Sequence, residues 1–297
     1  MTETQIVAAG QSPAEAKKPR DDEIDVYGVT HPGKVRPVNQ DHFLICQLKR
    51  DLITHSTSLP DVSDLGGSPE RLAFLAMVAD GVGGGPKGEE ASRVAVASIT
   101  DYVAHCARCY YAAVTTDEQE FTAALSAAAL ESHSAVARRA EEDPAHRGMA
   151  TTLTLWIGVW PDVYLLQVGD SRCYMLKGDI LTQITRDQTM AQDMVDQGLL
   201  PAAQAAATRW ANVLSSSIGG RQTSPEVTHL RNDWGTVWLL CSDGLTRHVT
   251  DGRIQELLRT MTSAKQVCDQ LLQEALEGGG SDNITIIVGR AFRKDQA

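Results

Sequence analysis

Apolar residues fall along this chain in short dense runs separated by polar, glycine-rich or alanine-rich stretches. Residues 24–30 (IDVYGVT), 42–48 (HFLICQL) and 71–80 (RLAFLAMVAD) have the length and the aliphatic and aromatic content of strands. Four more, at 151–159, 163–170, 172–178 and 180–185, follow one another across short turns, which join antiparallel neighbours. Strands at 225–230, 236–243 and 282–290 complete the set. Small and apolar residues recur at helical spacing over 88–107 and 118–142, and two further helices fit 251–259 and 263–276. Residues 50–70 read as a surface loop, and 187–220, polar and alanine-rich, as an insertion of short helices. Runs of strands broken by paired helices, without strict βαβ alternation, predict an α+β fold in one domain over residues 24–292. Residues 1–23 are expected to be a flexible tail and 293–297 a C-terminal tail.

Composition narrows the function. A 42% hydrophobic and 22% charged chain can fill a core. Its formal net charge of -11 disfavours nucleic acid and anionic membrane as partners. An anionic ligand would need a local reversal of sign, which bound divalent cations provide. No apolar run approaches the roughly 18 residues of a membrane span, and the first residues lack the order of a signal peptide, so a cytoplasmic protein is expected. The six cysteines read as reduced thiols, with Cys106 and Cys109 packing on a helix.

Chemistry concentrates at the ends of strands. In VADGVGGGPKGEE (78–90), Gly83, Gly85 and Gly88 satisfy the GxGxxG pattern of a dinucleotide site. The parallel strand with an acidic residue that should follow is replaced by a helix, and Lys87 lacks the context of a phosphate-binding P-loop. Aspartates give a stronger pattern. Asp80, Asp170 and Asp243 each close an apolar strand and Asp282 opens the last one. With that last strand antiparallel to the others, the four carboxylates reach one edge of the sheets, where they repel unless cations neutralise them. Mg²⁺ and Mn²⁺ are hard cations that take such oxygen ligands, and a glycine beside Asp80 lets a backbone carbonyl approach.

Seven stretches in order carry a resemblance: GKVRPVNQD (33–41), VADGVGGGPKGEEAS (78–92), MATTLT (149–154), VGDSRCYML (168–176), LTQITRDQT (181–189), LLCSDGLT (239–246) and SDNITIIV (281–288). In them the chain resembles the metal-dependent protein serine/threonine phosphatases of the PPM or PP2C family, in their bacterial form. The resemblance implies a sandwich of two antiparallel β-sheets flanked by pairs of helices. It implies that Asp80 bridges two central Mn²⁺ or Mg²⁺ ions, with the Gly81 carbonyl on one and Asp243 and Asp282 on the other, and that Asp170 and Asp243 share a third, weaker ion. Arg36 would grip the substrate phosphate through its planar fork. Asp41 would support the metals from behind, and Gln40, neutral where many relatives have glutamate, would offer an amide oxygen or a contact through water. Val82 stands where eukaryotic relatives have a histidine proposed as general acid, and Gln188 where a histidine is frequent, so neither is expected to be catalytic. The implied activity is hydrolysis of phosphoserine and phosphothreonine in proteins by metal-activated water, by a monomer opposing a bacterial serine/threonine kinase. The insertion at 187–220, with Arg209 and Trp210, resembles a mobile flap that tunes substrate choice. A phosphoprotein-binding module without catalysis and a nucleotide-binding oxidoreductase are the competing readings.

Overall fold

The computed structural model describes residues 17–50, 70–83, 86–105 and 118–294. Two five-stranded antiparallel sheets form its centre. The first runs in the order β1 (Ile24–His31), β12 (Ile284–Ala291), β11 (Val237–Cys241), β8 (Arg172–Lys177) and β9 (Ile180–Gln183). The second runs β10 (Glu226–Arg231), β7 (Asp162–Val168), β6 (Leu153–Val159), β3 (Glu70–Ala79) and β2 (His42–Arg50). Beside them β4 (Gly81–Val82) pairs with β5 (Ala150–Thr151).

Each central strand is apolar on both faces because each face meets a different layer. In β3, Leu75 and Met77 turn outward onto helices α1 (Pro86–His105) and α2 (Glu118–Glu142), while Ala76 and Val78 turn inward against the other sheet. In β12, Ile286 and Val288 face helices α6 (Asp251–Arg259) and α7 (Ala264–Glu277), and Ile287 faces the inter-sheet layer. Alanines let α1 and α2 pack closely: Ala91 and Ala95 on one helix, Ala128 and Ala129 on the other, are all fully buried. Thr250 and Ser263 cap α6 and α7 through their hydroxyls. The result is the α-β-β-α sandwich expected from the sequence.

Strand direction places the chemistry. β3 and β7 are both antiparallel to β6 and so run the same way, and β12 is antiparallel to β11. The segments that follow β3, β7 and β11 and the segment that precedes β12 therefore share one edge of the sandwich.

The insertion is folded on itself. It contains α3 (Met190–Asp196), capped by Thr189, and α4 (Ala202–Ala205), between which no regular element intervenes; α5 (Asp243–Thr246) follows β11. Arg186 pairs with Asp193 at 2.7 Å, and the Met190 N–H donates to the Val213 carbonyl at 2.8 Å. At the root of the insertion Asp187 takes the Arg172 guanidinium at 2.6 and 2.9 Å; Arg172 also reaches the Tyr174 hydroxyl, which donates to Asp251 at 3.0 Å.

Residues 18–23, expected within the tail, are packed onto the domain. Pro19 and Glu23 are buried, Asp21–Glu23 form a 3-10 turn, and the buried Arg71 guanidinium bonds both the Pro19 carbonyl and Asp21. Cys106 and Cys109, most of the loop at 50–70, and Gly85 lie outside the described residues. No helix among the described residues is long and apolar enough to cross a membrane.

Met77 is fully buried where β3 meets the helices, so Met77→Ala should cost about 2–5 kcal/mol in urea unfolding. Leu199, 67% exposed on the insertion, should tolerate alanine within about 0.5 kcal/mol.

Candidate active site

Asp80 leaves β3 with its backbone pinned. Its N–H donates to Thr152 Oγ1 at 3.0 Å, and its carbonyl accepts from Thr151 Oγ1 at 2.8 Å and the Thr152 N–H at 2.9 Å. Thr152 Oγ1 meets Ser171 Oγ at 2.7 Å, so the loop of Asp80 is joined to the loop of Asp170 by two hydroxyls. The intervening Gly169 has φ +102° and sits against the Thr152 side chain, where an added Cβ would come within 2.7 Å. Gln188 holds this turn, its side-chain oxygen accepting the Gly169 N–H at 2.9 Å.

Asp41 lies deeper. Its Oδ2 accepts from Ser242 Oγ and Thr285 Oγ1, each at 2.7 Å, and so links the residue before Asp243 to the start of β12. Its Oδ1 is buried with no hydrogen-bond partner. Asn283, unforeseen from the sequence, ties the Arg36 loop to β12: its Oδ1 accepts the Gln40 N–H at 2.9 Å and its amide donates to the carbonyls of Pro32 and Val38, both at 3.0 Å. Gly33 completes the tie with φ +79°, since a Cβ there would stand 2.2 Å from the Asp282 carbonyl oxygen.

The glycines after Asp80 serve a close crossing. A Cβ on Gly81 would meet the Gly88 carbonyl at 2.2 Å, and one on Gly88 would meet the Gln40 amide nitrogen at 2.4 Å and the Gly81 carbonyl oxygen at 2.7 Å. Only hydrogen at both positions lets the first turn of α1 approach the Gly81–Val82 peptide, with the Gln40 amide over the junction. Val82 stands exposed at the rim.

Asp41, Asp170, Asp243 and Asp282 all lie close enough to Asp80 for their charges to act on it. Burial pushes the Asp80 carboxyl well above its ordinary range, and the charges of Asp41, Asp243, Asp170 and Asp282 push it further. Burial raises Asp41 to about 7 against the pull of its two hydroxyl donors, and raises Asp170 to about 7 with help from Asp243 and Asp187. Asp243 is raised by burial and held back by Arg247.

Two guanidiniums answer this charge. Arg36 forms a bidentate fork on Asp282, Nε to Oδ1 and Nη2 to Oδ2, both at 2.8 Å. Arg247, also unforeseen, donates from Nε to Asp243 Oδ2 at 3.0 Å and brings Nη1 to 3.5 Å from Asp282 Oδ2. The i,i+4 spacing of Asp243 and Arg247 was the available signal for it. With these arginines in place, no group of three acidic, histidine or cysteine side chains among the described residues converges as a ready metal cage. The donor set still suits a hard divalent cation: clustered carboxylates, an orphaned buried oxygen on Asp41, and no nitrogen or sulfur ligand between them. A cleft of about 550 Å³ leads from Asp170, Asp243 and Arg247 to Ala191 and Ala202 of the insertion.

The histidines lie elsewhere in role. His31 Nδ1 accepts the Gly33 N–H at 2.9 Å in a turn, His248 meets Ser281 at 2.9 Å, and His229 stacks on Tyr164 beside Asp162. Arg209 covers the Trp210 ring at 4.4 Å.

A profile of the protein phosphatase 2C family matches residues 65–278. The serine/threonine protein phosphatase PstP of Mycobacterium tuberculosis is 35% identical over 218 residues, 73% of this chain and 40% of that protein, so the chain spans well under half of that relative. The serine/threonine phosphatase stp of Listeria monocytogenes is 29% identical over 72% of this chain and 83% of its own. Among solved structures, M. tuberculosis PstP superposes with a TM-score of 0.72 at 28% identity, covering 91% of this chain and 99% of that one. A structure of the PstP catalytic domain in complex with two manganese ions gives 0.70 at 28% identity and the same coverage.

Repulsion among the carboxylates destabilises the metal-free chain, so Asp80→Asn should raise its melting temperature in excess chelator by about 2–4 °C per kcal/mol relieved. Asn283→Ala, which leaves the Gln40 N–H and two carbonyls unpaired, should lower stability by about 1–3 kcal/mol for each group left buried.

Proposed function

The chain belongs to the protein phosphatase 2C family, and from that membership we propose that it hydrolyses phosphoserine and phosphothreonine esters of proteins with the help of divalent metal ions, opposing a serine/threonine kinase. The observation that carries the reading is the cluster of carboxylates whose charges act on Asp80, with Arg36 forked onto Asp282. Such a pocket has no structural purpose of its own, since it weakens the fold that holds it.

Asp80, Asp243 and Asp282 with the Gly81 carbonyl would hold two ions, manganese or magnesium, and Asp170 with Asp243 a third. Bound there, the ions would neutralise the carboxylates and the phosphate and activate water for attack on phosphorus. The work of the protein's own groups can be read from the geometry. Asp41 orients Ser242 and Thr285 and so sets the backbone on either side of Asp243 and β12. Arg36 sits on an exposed loop over the pocket, and its fork, now matched to a carboxylate, is equally matched to two oxygens of a phosphate monoester. A phosphate entering here exchanges one anionic partner of Arg36 for another, which limits the desolvation the arginine undergoes. Arg247, which also approaches Asp282, lines the cleft toward the insertion and offers a second cation to the substrate.

The cleft's alanine-lined wall accommodates a polypeptide beside the phosphorylated residue, which gives the insertion a part in choosing substrates. The naming of the relatives as serine/threonine phosphatases supports the substrate class.

With an aryl phosphate, activity should require Mn²⁺ or Mg²⁺ and vanish on complete chelation; turnover that survives chelation defeats the proposal. Asp243→Asn should lower kcat at least about 100-fold, and Arg36→Ala should act on kcat/KM by about 10–100-fold. Trimming the insertion between Asp187 and Gly220 should change kcat/KM for phosphopeptides more than for the aryl phosphate, and equal effects on both would argue against a role in substrate choice.

A further inference from the structure

The insertion returns to β10 through residues 215–225, which hold no helix or strand. Hydrogen bonds shape this turn. The Ser217 N–H donates to the Gln222 carbonyl at 3.0 Å, the Ser224 N–H to Ser216 Oγ at 2.9 Å, and the Thr223 hydroxyl to the Ser217 carbonyl at 2.6 Å.

The same turn is joined to the loops that carry Asp80 and Asp170. Ile218 and Thr151 exchange backbone hydrogen bonds in both directions, at 2.8 and 2.9 Å, and Thr151 Oγ1 donates to the Asp80 carbonyl at 2.8 Å. Gln188 makes the second connection. Its carbonyl accepts the Ser215 N–H at 2.9 Å, its side-chain amide donates to the Ser224 carbonyl at 3.0 Å, and its side-chain oxygen accepts the Gly169 N–H beside Asp170. A displacement of the turn therefore pulls on the backbone next to both aspartates.

The turn also meets α2. Gly219, at φ +79°, lies so close that an added Cβ would stand 2.3 Å from Val136 Cγ1 and 3.0 Å from the Met149 carbonyl oxygen. Its N–H donates to His133 Nδ1 at 3.1 Å. An N–H donates only to an unprotonated ring nitrogen, so this contact puts the imidazole proton on Nε2. Thr223 Oγ1 lies 2.6 Å from the same Nδ1, so one atom of α2 meets the turn at two points. The helix itself does not call for histidine at 133, since leucine and glutamine are better helix formers. What the residue supplies is the acceptor.

Resting on the metal-dependent phosphatase reading above, we propose that His133 is a positioning residue for the carboxylate pocket, holding through Gly219 and Thr223 the turn that fixes the backbone at Asp80 and Asp170. His133 is not among the residues that line the cleft, so it acts through the turn and not on the substrate. Without its Nδ1 the partly buried Gly219 N–H loses its partner, and the turn loses its hold on α2. Asp80 and Asp170 would then present their oxygens to a cation from a looser backbone.

The test is a set of substitutions in the full chain, read by calorimetric titration with Mn²⁺ and by turnover of an aryl phosphate at saturating Mn²⁺. Asparagine carries Oδ1 on Cγ, where histidine carries Nδ1; glutamine carries its oxygen one atom further out, and leucine has none. His133→Asn should keep Mn²⁺ affinity and kcat within about two-fold. His133→Gln and His133→Leu should each weaken Mn²⁺ binding about ten-fold, a loss of about 1.4 kcal/mol, and lower kcat about ten-fold with KM unchanged. Helix propensity predicts the opposite order, so a loss confined to glutamine and leucine is not a loss of α2. Where His133→Leu fails to fold, the comparison of His133→Asn with His133→Gln decides. Equal Mn²⁺ affinity in all the variants, an equal loss in all of them, or a rise in KM with kcat unchanged would each overturn the assignment. An unaltered chain that binds no Mn²⁺ would instead defeat the phosphatase reading, and the role of His133 with it.

Discussion

Carboxylates gathered away from water repel one another, and the architecture of this chain is organised to bear that repulsion. Asp80 receives the charge of four neighbours on top of its own desolvation. None of these groups could be held so by a loop alone. Each hangs from the end of a strand that is apolar on both faces and clamped between helices and the partner sheet, so a shift of one carboxylate would have to move a packed layer. A hydroxyl network adds the remaining restraint. Thr151 and Thr152 hold the Asp80 backbone, Ser171 joins that turn to Asp170, and Ser242 and Thr285 converge on Asp41. Neutral donors serve here because they steady the backbone without cancelling the negative charge that the pocket exists to present.

The two arginines stand in a different relation to that charge. Arg36 comes from a loop more than two hundred residues from Asp282 in sequence, and its reach is set by Gly33 and Asn283, which lash the loop to the turn before β12. Arg247 comes from one helical turn beyond Asp243 and is local. A guanidinium keeps its charge at any accessible pH, so both compensate the acidic cluster in the absence of other cations.

Much of this was legible in the order of residues. The helix at 118–142 has the same limits in the structure, and the strands fall within a residue or a few of their apolar runs, because the central runs are buried on both faces and turn residues bound the rest. The run at 151–159 is the exception: it is broken at Thr152, whose hydroxyl accepts the Asp80 N–H and whose own N–H donates to the Asp80 carbonyl instead of a strand partner. The two-residue pairing of β4 with β5 is too short to leave a periodic signal. Recurrence of aspartate at strand ends pointed to the pocket, since strand direction decides which ends meet. Asn283 and Arg247 were not foreseen, one because its work is done by contacts far apart in sequence, the other because an arginine after a short helix reads as surface charge. Packing of residues 18–23 was hidden for a similar reason, as it rests on the buried guanidinium of Arg71 rather than on apolar side chains.

The pairing of Asp187 with Arg172 bears on how the insertion can move. Through Tyr174 that pair is anchored to Asp251 at the first turn of α6, so the root of the insertion is bolted to the helical layer of the first sheet. The pivot of any rearrangement must lie beyond that bolt, and the two short helices would travel over a fixed base. If the insertion selects substrates as proposed, the residues that do so belong to its outer part, and its base at Asp187 stays tied to Arg172.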